Sequence, residues 1–336
     1  MNSIPAISIL MPVKNTAQFL IECLESIINQ TETDFELIAI DDHSTDKSYS
    51  ILKKYSVKDN RFKVFKNTGN GIIEALRLAY SKSSGKYITR MDSDDVMILN
   101  KLRVLKSNLI AFGNGHIALG KVKYFSEKPL GAGFIKYEEW LNSLIEEGTN
   151  FEGIYKECVI PSPCWMVYRE DLEKCNAFYP NDYPEDYDLA FRFYMKGFKP
   201  IASHEILHHW RDYSTRTSRT HVYYADHTFL DIKMKYFLKL DYDSTKNLVV
   251  WGAGDKGKRV AKHLIAQKIN FSWICDNPKK IGKHVYDQLM LPFTALESVD
   301  NSQSIITVAN SKAQKEIKLY FKERKLLSNN GYFFFC

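Results

Sequence analysis

Cysteine is scarce and dispersed in this chain of 336 residues. The six (Cys23, Cys158, Cys164, Cys175, Cys275 and Cys336) contain no C-x-x-C pair, which argues against a structural zinc site. They are also too few for a disulfide scaffold, and a reducing compartment is expected. Long apolar runs are missing too: no uncharged stretch reaches the ~18 residues a membrane span needs. The opening MNSIPAISILMPVKN has no basic segment before its apolar run and no small-residue cleavage site, so no signal peptide is expected. Internal repeats and low-complexity tracts are absent. A hydrophobic fraction of 45% with 26% charge excludes collagen-like and wholly disordered chains. The expected location is the cytoplasm, with the inner face of the membrane as a candidate peripheral contact.

The net charge of +6 is unevenly placed. Residues 245–336 hold 15 Lys and Arg against 7 Asp and Glu, whereas the remainder holds 31 against 33. A basic terminal part suits anionic ligands or acidic lipid, although a solvated lysine-rich face explains it as well. The basic excess has no interleaved aromatic platform, so nucleic acid is not an expected partner.

What is present is an alternation of strand and helix signals. Ile7 to Val13 predicts a buried strand, Phe19 to Ile28 a helix, and Phe35 to Ile40 a strand ending at Asp41-Asp42. Ser44 to Tyr55 predicts a helix capped by Ser44 or Thr45. Phe62 to Phe65, Ile72 to Ser81 and Tyr87 to Met91 predict strand, helix and strand, the last ending at Asp92. That order argues for a mostly parallel α/β sheet, whose ligands bind beyond the carboxyl ends of the strands. Both acidic clusters, Asp41-Asp42 and Asp92-Ser93-Asp94-Asp95, fall at such ends. The middle of the chain, about 101–218, is less regular. Tyr223 to Leu240 predicts an aromatic-rich helix that packs across two domains or lies on a bilayer, and a polar linker runs to Lys246. A second α/β pattern starts at Asn247, so the expected organisation is a catalytic domain over 1–220, a connecting helix and linker over 221–246, and a small Rossmann-like domain over 247–336.

Three constellations carry chemistry. Asp92 and Asp94 can share a hard divalent cation that also bridges phosphate oxygens. Glu185-Asp186 at a predicted helix start suits the helix dipole and also suits a general base. In Leu207-His208-His209-Trp210-Arg211, an extended backbone places His209 and Arg211 on one face. Arg211 suits a diphosphate, joined by Arg216 and Arg219, and His209 is a candidate third metal ligand.

Taken in order, these motifs resemble the family 2 glycosyltransferases of GT-A fold over the first ~220 residues. Ile9 to Asn15 resembles the family's first strand and donor-base loop. Glu36 to Asp46 resembles its acidic second-strand motif, with His43 in place of the usual Gly or Asn. Asn67 and Gly71 to Ala79 resemble the loop and helix before the metal motif, Gly85 to Asp95 that motif, and Glu185-Asp186 the base motif. The resemblance implies a nucleotide-sugar donor, commonly of UDP, and a glycan or lipid-linked saccharide acceptor in surface polysaccharide biosynthesis. It implies that Asp42 and Asp41 contact the nucleotide base, with Pro12, Val13, Asn15, Asn67 and Gly71 around the donor. Asp92 and Ser93 then approach the ribose or metal, Asp94 is the principal ligand of Mn²⁺ or Mg²⁺, and Arg211 faces the diphosphate. Asp186 is the implied base, with Glu185 beside it, in an inverting single displacement. Trp165 is a candidate for stacking on the acceptor ring or for the core, and Cys164 reads as packing.

Near the C-terminus, Gly252, Gly254 and Gly257 follow a predicted strand and open a helix, and Asp276 ends the next strand. This is the context of a dinucleotide fingerprint, so NAD(P) is a candidate ligand there, against which stand the shortness of the domain and a purely structural reading of the glycines. An NAD(P)-dependent sugar oxidoreductase and a non-catalytic nucleotide-sugar binding module stand as the alternatives to transfer. Oligomeric state is not legible.

Overall fold

The computed structural model describes residues 4–216, 219, 224, 226–326, 328 and 330–336. The chain divides into two compact units, Met1–Phe151 with Val159–Val222, and Glu152–Cys158 with Tyr223–Cys336.

The first unit is built on β1 (Ile7–Val13), α1 (Ala17–Ile28), β2 (Phe35–Asp41), α2 (Ser48–Lys58), β3 (Phe62–Lys66), α3 (Ile72–Lys82) and β4 (Tyr87–Arg90). These strands are short runs of β-branched and aromatic residues, and β1 and β2 are buried almost throughout, as expected for strands covered on both faces. They pair in parallel in the order β3-β2-β1-β4. The less regular middle supplies β5 (Val96–Met97), α4 (Lys101–Phe112), β6 (His116–Leu119), β7 (Lys121–Phe125), α5 (Ala132–Glu147), β8 (Trp165–Tyr168), α6 (Arg169–Lys174), α7 (Glu185–Met195), β9 (Lys199–Ile201) and β10 (Ile206–Arg211). The sheet continues β4-β8-β6-β9, with β8 antiparallel to both its neighbours. A separate three-stranded sheet, β5-β10-β7, stands over the acidic turn after β4.

Ser44 and Thr45 do not cap α2, which starts at Ser48 behind Lys47. Their groups are used elsewhere: Ser44 Oγ accepts from Asn15 N–H at 3.0 Å, and Thr45 N–H donates to Asn15 Oδ1 at 2.8 Å. The turn is thereby tied to the end of β1 rather than to its own helix.

The second unit contains α8 (Asp226–Leu240), β11 (Asn247–Trp251), α9 (Asp255–Ala266), β12 (Ser272–Cys275), β13 (His284–Val285), β14 (Gln288–Pro292), β15 (Ser302–Ile306), α10 (Ser311–Glu323) and β16 (Tyr332–Phe334). Tyr223, the expected start of α8, lies outside the described residues. The sheet order is β13-β14-β12-β11-β15-β16, parallel apart from β13. Tyr155, from the segment that crosses into this unit, stacks on Phe335 at 5.3 Å and meets Phe237 of α8 edge-on. No helix among the described residues is long and apolar enough to cross a membrane.

Candidate active site

The carboxyl ends of the parallel strands set out one end of the site. Asp42 N–H donates to Val13 O at 2.7 Å and Asn67 N–H to Asp41 O at 2.8 Å, so the tips of β1, β2 and β3 lie side by side. The Asp42 carboxylate is consumed by its own chain: it accepts from Asn67 Nδ2 at 2.7 Å, from Gly71 N–H at 3.0 Å and from Lys14 Nζ at 3.1 Å. Gly71 sits at φ +88°, a backbone state that favours glycine, and so brings its N–H to this carboxylate at the start of α3. Asp41 differs. It is equally buried, yet its Oδ1 has no hydrogen-bond partner among the described residues. The acceptor that the chain leaves unused therefore belongs to Asp41, whereas the sequence reading placed Asp42 first. Pro12 is half-buried and Val13 buried beside them; Asn15, at φ +52°, pins the Ser44–Thr45 turn.

The acidic turn after β4 is clamped from several sides. Ser93 was expected at the donor, but its hydroxyl is buried against Thr16 Oγ1 at 2.9 Å and acts as a structural tie. Asp94 Oδ2 accepts from the Tyr213 hydroxyl at 2.8 Å, and Arg211 Nε donates to the Asp94 carbonyl at 2.7 Å. The Arg211 guanidinium also pairs with Glu22 and lies between the rings of Phe19 and Phe125 at 4.5 and 4.3 Å. It was expected to hold a diphosphate; its Nε instead goes to the motif's own backbone and an outer nitrogen to Glu22, which makes it a brace for the turn. Burial pushes the Asp94 carboxyl up from its usual range, Arg216 opposes the shift and Asp92 adds to it. Arg216 is one of the cations near the cluster: burial works against its charge, but Asp95, Tyr124 and Asp94 hold it firmly protonated. Arg219 forms a two-pronged pair with Asp212 at 2.7 and 2.9 Å and is occupied there.

The second half of the site is joined to the first by Arg90, which the sequence reading passed over. Arg90 is 5% exposed. Its guanidinium donates to Asp92 Oδ1 at 3.0 Å and to Glu185 Oε1 at 3.0 Å. Glu185 and Asp186 form the first turn of α7, where carboxylates suit the dipole. Loops on either side hold that turn in place. Arg77 of α3 donates to the carbonyls of Phe178 and Tyr179 and to Asn181, and Arg192 of α7 donates to Asp188 at 2.6 Å and to Ala177 O at 2.6 Å. A small cavity beside the turn is lined by Arg90, Glu185, Asp186, Ser162, Trp165 and Phe178, among others. Burial, reinforced by the Glu185 charge, pushes Asp186 up to about 7, with Arg90 pulling the other way. Trp165 reaches this cavity only as part of its wall. It is buried in β8 with its ring edge-on to Phe193 at 6.1 Å and has no open face to stack on a sugar.

His209 was expected as a third metal ligand. Its ring lies 5.9 Å from that of Phe125, and among the described residues no three His, Cys, Asp or Glu side chains gather as a metal site. The donor chemistry still fits a hard cation: Asp92 and Asp94 offer carboxylate oxygens, and an ion that arrives with a diphosphate needs only one or two of them. His208, on the opposite face of β10 from His209 and Arg211, is the histidine engaged with the motif, its Nε2 lying 2.9 Å from Asp95 Oδ2. An adjacent-histidine pattern says nothing about which ring is buried. The alternation of β10 decides it.

In the second unit, Gly252 and Gly254 lie in the turn from β11 to α9, and Gly257 lies in the first turn of α9. A Cβ on Gly257 would lie 2.1 Å from Gly252 O, so this position requires glycine for packing, whereas a Cβ on Gly254 meets nothing within 4 Å. Asp276 is exposed just after β12. Trp273 Nε1 and Lys280 Nζ donate to the loop carbonyls of Gly252 and Ala253 at 2.8 and 2.6 Å.

Comparison with known proteins agrees with the geometry of the first unit. Residues 8–175 match the profile of glycosyl transferase family 2. An uncharacterized glycosyltransferase of Rickettsia bellii is 35% identical over 170 residues, 49% of this chain but only 24% of the Rickettsia protein. One from Haemophilus influenzae is 29% identical over 284 residues, 79% of this chain and 86% of that protein. Among solved structures, S. aureus TarS 1-349 in complex with UDP-GlcNAc superposes with a TM-score of 0.57 at 18% identity, over 77% of this chain and 71% of that one. The mannosyltransferase PcManGT of Pyrobaculum calidifontis, in complex with GDP-Man and Mn²⁺, gives 0.50 at 16% identity, over 79% and 70%. The likeness to these structures is one of fold, the α/β GT-A arrangement. With half its length matched to the family profile and the acidic motifs drawn to one end of that sheet, the chain belongs to glycosyl transferase family 2.

Proposed function

We propose that the first unit transfers a sugar from a nucleotide-diphosphate donor, a UDP-sugar, to a hydroxyl of a glycan or lipid-linked acceptor, with inversion at the anomeric carbon and in the service of surface polysaccharide synthesis. The observation that carries this reading is the Arg90 bridge, because it ties the acidic motif and the carboxylate pair of α7 to the same cleft.

The roles follow from the groups. Asp41 Oδ1, buried and unpaired among the described residues, accepts from an N–H of the nucleotide base, where an unmet acceptor otherwise carries its full desolvation penalty. Asp92 and Asp94 are the residues that would hold Mn²⁺ or Mg²⁺, which when bound supplies charge neutralisation at the diphosphate. Arg216 adds a fixed positive charge next to the same carboxylates. Asp186 takes the proton of the acceptor hydroxyl as that oxygen attacks the anomeric carbon; the bond from that carbon to the diphosphate oxygen breaks, and the nucleoside diphosphate leaves. A base poised near 7 is ionised in a useful fraction at neutral pH and still basic enough to accept the proton. One displacement inverts the centre, and no covalent nucleophile on the chain is called for. Support also comes from TarS and PcManGT, whose fold is shared and which bind UDP-GlcNAc and GDP-Man with Mn²⁺ respectively.

The test is a panel of nucleotide sugars with Mn²⁺ and saccharide acceptors, read as released nucleoside diphosphate, with proton NMR of the first product formed. Release with an inverted anomer is expected. Retention of configuration, or no release with any donor, overturns the proposal.

A further inference from the structure

Lys101, the first residue of α4, is fully buried, which is rare for lysine. Its Nζ donates to Pro163 O at 2.5 Å and lies 3.1 Å from His208 Nδ1. An ammonium has only N–H donors, so His208 accepts at Nδ1 and keeps its proton on Nε2. That Nε2–H then donates to Asp95 Oδ2 at 2.9 Å. The other Asp95 oxygen accepts Arg211 N–H at 2.8 Å. Lys101, His208 and Asp95 are all fully buried, and Asp95 follows Asp94 directly in the chain. The row starts at the Pro161–Trp165 segment, whose Ser162 and Trp165 line the cavity beside Asp186, and it ends at the turn that carries Asp92 and Asp94.

We infer that Lys101 and His208 are positioning residues that lock the Asp92–Asp94 turn to the wall of the Asp186 cavity and so set the geometry in which a cation and diphosphate are received. This rests on the proposed transferase reading. A buried histidine in such a row can carry only one tautomer, and burial together with the adjacent Lys101 pushes its pKa far down, so the ring stays neutral and its donor stays aimed at Asp95. Partners of this kind change metal affinity by about 10–100-fold when they are removed elsewhere in proteins.

The test compares His208→Ala, His208→Gln and Lys101→Met in the full chain, with Mn²⁺ binding in the presence of UDP read by electron paramagnetic resonance and folding read by thermal denaturation. His208→Ala and Lys101→Met are expected to weaken Mn²⁺ binding about tenfold or more. His208→Gln, whose amide offers a donor along the same direction, is expected to restore most of it. Variants that melt earlier yet bind Mn²⁺ as the wild type does would reduce the row to a stabilising role and overturn the inference. A glutamine no better than alanine overturns it as well. Both of those results leave the transferase reading standing, whereas a wild type without any Mn²⁺–UDP site ends both.

Discussion

Arg90 holds Asp92 and Glu185 at the same distance, 3.0 Å, across 95 residues of sequence between itself and Glu185. A buried guanidinium with carboxylates on two sides is a joint. It makes the position of the base turn depend on the position of the acidic motif. Replacing Arg90 by methionine leaves buried carboxylates without their counter-charge, and removal of one partner of a buried pair costs about 3–5 kcal/mol. Arg90→Lys keeps the charge but loses the fork. The expectation is that the lysine variant folds, melts lower, and loses at least about tenfold in kcat, because one point charge cannot hold both partners. Calorimetry with steady-state kinetics checks it, and wild-type kcat in a folded Arg90→Lys protein would contradict it.

The acid limb of the rate profile reports Asp186. Its carboxyl titrates near 7 when folded and must be ionised to act, so kcat/KM should rise with pH through about 7 and level off above. Glu185→Gln removes the charge that pushes Asp186 up and frees Arg90 to pull it down, so the limb should move to lower pH. For stability the sign is opposite. A carboxyl raised on folding penalises the native state once pH exceeds its ordinary value, and the penalty is fully present above about 7. Asp186→Asn should therefore melt higher than wild type at pH 8, and by less at pH 4. A melting temperature below wild type at pH 8 would contradict the assignment.

Asp41 and Asp42 should separate cleanly. Asp41→Asn disturbs an oxygen that no described residue uses, so stability should be unchanged or improved while donor KM rises about tenfold or more. Asp42→Asn weakens bonds from Asn67, Gly71 and Lys14, so it should lower the melting temperature as well. Equal loss of stability in both would contradict the division of labour.

Metal removal gives a fourth handle. UDP with Mn²⁺ should raise the melting temperature as ligand binding requires, chelator should cancel the shift, and Asp94→Asn should show little shift at the same concentrations. In the second unit, Gly257→Ala forces a Cβ to within 2.1 Å of Gly252 O and should cost about 1–3 kcal/mol or more, whereas Gly254→Ala should be nearly neutral.

Much of this was readable before any coordinates, for physical reasons that differ by element. Strands β1 to β4 and their helices are periodic and punctuated by acidic residues, so their order and ends were legible to within a few residues. Strands β5, β7 and β10 were not legible: β5 has two residues, and in β7 and β10 Lys, His and Arg interrupt the apolar residues, so neither reads as an apolar strand. That sheet is what buries His208 and clamps Asp94, so the histidine's role and the bracing by Arg211 and Tyr213 were hidden with it. Arg90 sits inside a strand pattern, where an arginine reads as an exposed position; only the neighbouring carboxylates account for its burial. In sequence, Trp165 stands open between a stacking platform and the core; its burial in β8 and its edge-on contact with Phe193 favour the core.

The central claim is that the acidic motif and the carboxylate pair of α7 serve one reaction. Its most direct test is Mn²⁺-dependent release of nucleoside diphosphate by folded wild type, Asp94→Asn and Asp186→Asn under identical donor and acceptor. Release by wild type with a loss of about 10²–10⁴-fold in Asp186→Asn, and a comparable loss in Asp94→Asn at limiting Mn²⁺, is the result expected. Full acceptor-dependent turnover in either variant would contradict it.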